Sequence, residues 1–185
     1  MVRHLDPLNW HAILNEAQRA FKKCLWDDAA TSYSRLLKID PHNSLALANR
    51  GRCFAHMQKF EEALRDICIA IQQDPSKAEF YLYRGCLLRN KNSRKALEDL
   101  SISILLDHKD HCGAESYFQR AMLYCSLAKF HLAVSDYRSA IEIDPTHCDS
   151  HLNLGLVYMK HLCEYNEALE CFTKAIRLGI DFQVI

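Results

Sequence analysis

The 185-residue chain is poor in turn formers, with Gly 5 and Pro 4. All-β folds need more of both, so the composition points to helices. There is no excess of either charge, since 23 Lys and Arg offset 23 Asp and Glu. That removes the global basic field that draws a protein to nucleic acid or anionic lipid. No run approaches the ~18 apolar residues of a membrane span, and the opening MVRHLDPLNW has no apolar leader-like stretch. The 9 cysteines contain no C-x-x-C pair and are scattered, unlike a zinc ribbon or a secreted disulfide framework. A cytoplasmic, reducing setting is expected, with the thiols acting as small hydrophobes.

What the chain does have is a period. Asp6-Pro7, Asp40-Pro41 and Asp74-Pro75 keep a step of 34, and Asp144-Pro145 lies 70 further on. Gly51, Gly85 and Gly155 keep the same steps independently. Between these marks, segments 44–75 and 114–145 share an apolar pattern, with Phe54 matching Tyr124, Ala63 matching Ala133 and Ala70 matching Ala140. Each unit reads as two helices, because apolar residues recur at helical spacing and Asp-Pro stops the second. A period of this length is the mark of a repeat array. The expected units are 10–43, 44–77, 78–113, 114–147 and 148–179, followed by a tail at 180–185.

The repeated small residues have a physical reason. Gly51, Gly85, Ala121 and Gly155 would let the two helices of a hairpin approach closely, and Ala63, Ala96, Ala133 and Ala168 would do so from the other helix. Ala70, Ala140 and Ala175 recur further along the second helix, while Pro75 and Pro145 close their units. Departures are informative. The first unit has Ala17 and Ala20 at the glycine and aromatic positions, which predicts a looser or rearranged hairpin. The third unit has a turn one residue short and His108 in place of proline, and the fifth has one extra residue in its turn. The last helix is expected to stop near Gly179, with no polar capping helix after it.

The pattern Leu47-x2-Arg50-Gly51-x2-Phe54, Ala63-x3-Ile67, Pro75, with its counterpart from Tyr117 to Pro145, resembles the tetratricopeptide repeat (TPR) family. The resemblance implies an all-α fold, a right-handed α-α superhelix whose first helices line a concave groove. It implies a non-enzymatic scaffold that holds a peptide or partner protein there. The alternative is the regulatory or targeting arm of a larger assembly, such as ciliary or intracellular transport machinery, with a cilium-associated location. Asp6-Pro7 keeps the step with no helix before it, which reads as a capped entry to the first helix or as the stub of an earlier unit, making the chain a piece or short form of a longer array.

By repeat register the groove residues are Asn15, Asn49, Arg52, Tyr83, Arg89, Gln119, Met122 and Asn153. Asn15, Asn49, Gln119 and Asn153 occupy one equivalent position, where an amide can match both polar groups of a peptide unit. Tyr83 interrupts that row and, with Phe118 and Met122, reads as an apolar anchor, whereas Tyr81 reads as packing. No three-unit frame supplies the cationic clamp by which some members of the family grip acidic chaperone tails, so no such tail is expected as partner. Glu79, Glu115 and Asp149 at the groove edge also disfavour nucleic acid. Two His/Cys clusters, His108-x2-His111-Cys112 and His147-Cys148-x2-His151, lack a metal site's spacing, and joint histidines are the expected reading. Neither H-E-x-x-H, G-x-S-x-G nor a phosphate-cradling loop occurs, so no metal, cofactor or catalytic residue is expected.

Overall fold

The computed structural model describes residues 7–107 and 111–183, with side chains from 10 to 107 and from 112 to 179. Asp6, His108, Val184 and Ile185 lie outside the described residues, as do the side chains of His111, Ile180 and Phe182. The described residues form helices and no strand. The chain divides into two compact units, Met1–Leu87 and Leu88–Ile185. The first holds α1 (Pro7–Lys22), α2 (Trp26–Ile39), α3 (Ser44–His56), α4 (Phe60–Gln73) and nearly all of α5 (Ala78–Leu88). The second holds α6 (Ser93–Leu106), α7 (His111–Ser126), α8 (Phe130–Ile143), α9 (Cys148–Val157), a π-helical turn (Tyr158–Leu162) and α10 (Tyr165–Gln183). In the first unit α1 packs on α2, α2 on α3 and α3 on α4; in the second α6 packs on α7, α7 on α8, α8 on α9 and α9 on α10. The last helix does not stop at Gly179 but runs to Gln183.

The aspartates of the joints end the helices. Asp40, Asp74, Asp107 and Asp144 all take extended backbone and donate their N–H to a carbonyl four residues back. Asp107 does this with histidine rather than proline after it, so the aspartate suffices as the stop. The carboxylate then organises the joint. Asp74 Oδ1 accepts from the Ser76 hydroxyl at 2.6 Å and from its N–H at 3.1 Å, and Asp144 is held by Thr146 at 2.6 and 2.9 Å. Such short local turns are what aspartate favours over a continued helix. The Ser76 bonds hold the Asp74 carboxyl below its usual range.

The turns inside the hairpins carry strain in place of glycine. Cys24, Gln58, Ala128 and Cys163 all have positive φ, between 55° and 61°. The next residue closes the first three turns, with Leu25, Lys59 and Lys129 donating to Ala20, Phe54 and Tyr124. At the fifth hairpin the extra residue is absorbed by the π turn, and Glu164 N–H reaches back to Tyr158 O at 3.1 Å. A side chain in the left-handed region is costly where glycine would be free. Ala128→Gly is therefore expected to stabilise the protein by up to about 1 kcal/mol, read as a raised urea midpoint at unchanged slope.

Close packing follows the small residues. Ala63, Ala70, Ala96, Ala121, Ala133 and Ala140 are each 0% exposed, with Ala168 at 1% and Ala175 at 6%. A Cβ on Gly51 would sit 2.9 Å from Ile67 Cγ1 and 3.1 Å from the Ala63 carbonyl oxygen; one on Gly155 would sit 2.7 Å from the Phe172 ring. Gly85 is buried, Tyr81 is buried among the core of the first unit, and Pro75 and Pro145 are exposed at their joints. The first hairpin is rearranged rather than loose. Ala17 is fully buried, and the ring comes one residue later, with Phe21 edge-on to Trp26 at 5.1 Å. Two forked ion pairs brace the hairpins. Arg50 donates to both oxygens of Asp66 at 2.7 and 2.8 Å, and Arg120 to both oxygens of Asp136 at 2.7 and 2.9 Å. A third nitrogen of each arginine reaches the preceding second helix, at Ser34 and Ser101.

Candidate functional site

In the first unit one side chain ties three first helices together. Arg52 projects from the middle of α3, and its guanidinium lies 4.6 Å from the centre of the Phe21 ring on α1 and 4.6 Å from that of Tyr83 on α5. Its Nη1 donates to Asn49 Oδ1 at 3.2 Å. Beside it opens a pocket of about 210 Å³, floored by Ile67 of α4 and walled by Arg52, Ala55 and His56 of α3 and by Tyr83 and Leu87 of α5. The His56 ring is stacked on Trp26 at 3.9 Å and 5°. Burial, followed by the nearby Arg52 charge, holds the His56 pKa below its ordinary value.

That shift has a consequence for stability. Below the unfolded value of about 6.5, the unfolded chain takes up a proton that folded His56 resists. Stability is therefore full above that pH and falls as pH drops towards the lowered folded pKa. Thermal melts at pH 7.5 and 5.5 should show a larger drop in Tm for the wild type than for His56→Phe.

The second unit repeats the pocket 70 residues on. Met122 stands for Arg52, Cys125 for Ala55, Tyr137 for Ile67, Asn153 for Tyr83 and Val157 for Leu87, around about 250 Å³. Lys160 and His161 also line it, and His161 stacks on Phe130 at 3.9 Å, as His56 does on Trp26. Next to it runs a polar chain. Arg89 Nη1 donates to Gln119 Oε1 at 3.0 Å and lies 3.7 Å from Met122 Sδ. Gln119 Nε2 donates to Glu115 Oε1 at 2.7 Å, and His147 Nε2 lies 3.5 Å from the other carboxylate oxygen. A hydrogen bond donated to the Glu115 carboxylate raises the His147 pKa.

The structure thus groups the groove residues in two clusters: Asn49, Arg52 and Tyr83 in the first unit, and Arg89, Gln119, Met122 and Asn153 in the second. Asn15 is exposed on α1. The amide row is partly committed within the protein. Asn49 accepts from Arg52, both ends of Gln119 are bonded, and Asn153 Nδ2 donates to the Asp149 carbonyl at 2.8 Å. Phe118 is not an anchor. It is 8% exposed and packed against Tyr137 and His147, because α7 turns it into the core. Sequence reasoning missed Phe21 as the second ring on Arg52, since Phe21 falls one residue off the aromatic register. It also passed over the Arg50–Asp66 and Arg120–Asp136 pairs, although both residue types keep the 70-residue step.

The second His/Cys cluster serves the fold. His147 Nδ1 accepts from Ser150 N–H at 3.1 Å and caps α9, His151 Nε2 lies 3.1 Å from the Pro145 carbonyl, and Cys148 Sγ donates to the Ala175 carbonyl. Among the described residues no three of His, Cys, Asp and Glu gather where a metal could sit. Burial pushes the Cys53 thiol up to about 11 and also raises Cys125 and Cys171, which keeps these thiols protonated at neutral pH. No described helix is long and apolar enough to cross a membrane.

Comparison with known proteins gives matches to tetratricopeptide repeat families at residues 14–78 and 149–178 and to a TPR repeat family at 122–161. Tetratricopeptide repeat protein 16 of Mus musculus is 28% identical over 155 residues, covering 80% of this chain and 20% of that protein. The chain therefore spans about a fifth of that relative's length. Among solved structures, MamA superposes with a TM-score of 0.75 at 22% identity, covering 91% of this chain and 97% of MamA. YrrB, described as a TPR protein with an unusual peptide-binding site, superposes at 0.65 with 23% identity, covering 91% of this chain and 86% of YrrB. At these identities the structural likeness carries the fold: an all-α array of helical hairpins.

Proposed function

The chain belongs to the tetratricopeptide repeat family, and from that premise we propose that it is a non-enzymatic scaffold holding a peptide or partner protein on the face formed by its first helices. The observation that carries this reading is the recurrence of one pocket, 70 residues apart, in the same structural position of two units. Packing alone does not call for an open pocket twice in register. A peptide would seat a side chain in the pocket of a unit and meet that unit's amides along its main chain, Asn15 and Asn49 in the first or Asn153 in the second. Each such bond nets only ~0.5–1.5 kcal/mol, so the pockets must supply most of a micromolar affinity of about −8 kcal/mol. YrrB, with its peptide-binding site, supports the reading by analogy of fold. The five-unit division at 10–43, 44–77, 78–113, 114–147 and 148–179 belongs to the same proposal, as do a cytoplasmic setting and the exclusion of acidic chaperone tails.

The second reading, an arm of a larger assembly, is favoured by the length of the relatives, of which this chain matches about a fifth. Affinity capture separates signal from background. Partners held by the wild type should be lost from an Asn49→Ala/Asn153→Ala double variant and kept by Arg94→Ala, a change at an exposed position of α6. Equal capture by all three proteins would refute the groove.

A further inference from the structure

Arg52 differs from Arg50 and Arg120, the arginines that brace the hairpins. Arg50 and Arg120 each hold an aspartate through two bonds, whereas Arg52 is half-buried and, among the described residues, meets no carboxylate. Its neighbours are the Phe21 and Tyr83 rings and the Asn49 oxygen. With two rings against the guanidinium and Nη1 engaged by Asn49, the rest of its fork of N–H donors remains for hydrogen bonding. A rigid fork of donors matches a carboxylate, and fixing it in advance lowers the entropy lost on binding. The pocket beside it supplies the other half of a recognition element. Its floor and far wall, Ile67, Ala55 and Leu87, are apolar, and no acidic side chain lines it. Its volume of about 210 Å³ exceeds the ~150 Å³ of a cavity that holds benzene, which is room for one large apolar side chain.

We propose that the first-unit pocket selects a segment of a partner peptide in which a large apolar residue stands beside an aspartate or glutamate, the apolar side chain filling the pocket and the carboxylate pairing with the remaining N–H donors of Arg52. This rests on the peptide-scaffold reading and adds the ligand's chemistry to it. The occupant is an internal segment, since a chain running along the amides of Asn15 and Asn49 passes through the site rather than ending in it. The second-unit pocket has Met122 where Arg52 would be, so it shares the apolar seat without the fork. The two pockets therefore read different residues.

The test is selection from a library of nine-residue peptides, acetylated and amidated so that no terminal charge contributes, on the full chain. Wild type should enrich Asp or Glu next to Leu, Ile, Met or Phe by at least tenfold. Arg52→Gln should lose the acidic preference and keep the apolar one. Ala55→Leu, which fills the pocket while leaving the arginine in place, should lose the apolar preference and report on the site independently if Arg52→Gln proves unstable. Peptides enriched without an acidic residue, or an acidic preference that survives in Arg52→Gln, overturn this inference and leave the scaffold reading standing. No enrichment of any peptide by the wild type overturns both.

Discussion

Ala140→Glu is expected to unfold the second unit. Ala140 is 0% exposed on α8, in the cluster that also holds Ala121, Tyr137 and Leu154. Glutamate there would bring a carboxylate with no cationic partner and a side chain with no space. An unpaired charge in such a site is among the few single changes that exceed about 4 kcal/mol. Whole-domain stability is roughly 5–15 kcal/mol, so little would be left. Ser135→Glu adds the same charge at an exposed position of the same helix and should stay within about 0.5 kcal/mol. Urea unfolding followed by helix signal compares the three proteins directly. An Ala140→Glu protein as stable as wild type would mean that the repeat register has been misplaced.

Asp136→Ala is the second large effect. Asp136 is 6% exposed and accepts two bonds from Arg120, whose side chain is 18% exposed and also reaches Ser101. Removing the aspartate leaves a mostly buried guanidinium without its counter-charge, a loss of about 3 kcal/mol. Replacing both partners tells a different story. Arg120→Met with Asp136→Leu removes the need for the pair along with the pair, and should recover most of that loss. The contrast measures how much of the single-variant effect is a stranded charge. Asp66→Ala should behave alike in the first unit, where Asp66 is 4% exposed and paired with Arg50.

How much of this was visible in the sequence depends on the distance over which each feature is determined. The hairpins are legible because their causes are local and repeated: small residues at Gly51, Ala63, Ala121 and Ala133, and an aspartate at each joint. The extra residue in the last hairpin is legible as an insertion, but its absorption into a π turn is not, because nothing near Tyr158 distinguishes a wound-in residue from a longer loop. The groove positions follow from register, which places Arg52, Tyr83, Met122 and Asn153 on one face of their helices. What those side chains do there depends on neighbours from other helices. Phe21 lies 31 residues before Arg52, and only the packing of α1 on its successors brings its ring to the guanidinium. Phe118 was misassigned for the same reason: one helical position separates the groove face from the core.

The central claim is that partners bind at the two equivalent pockets, and the most direct measurement is amide chemical-shift mapping of the labelled chain with a library-selected peptide. The account predicts that the largest shifts fall on residues around the pockets, at Arg52, His56 and Tyr83 or at Met122, Asn153 and Lys160. Shifts confined to the opposite side of the hairpins, at exposed Leu105 and Leu132, would contradict it.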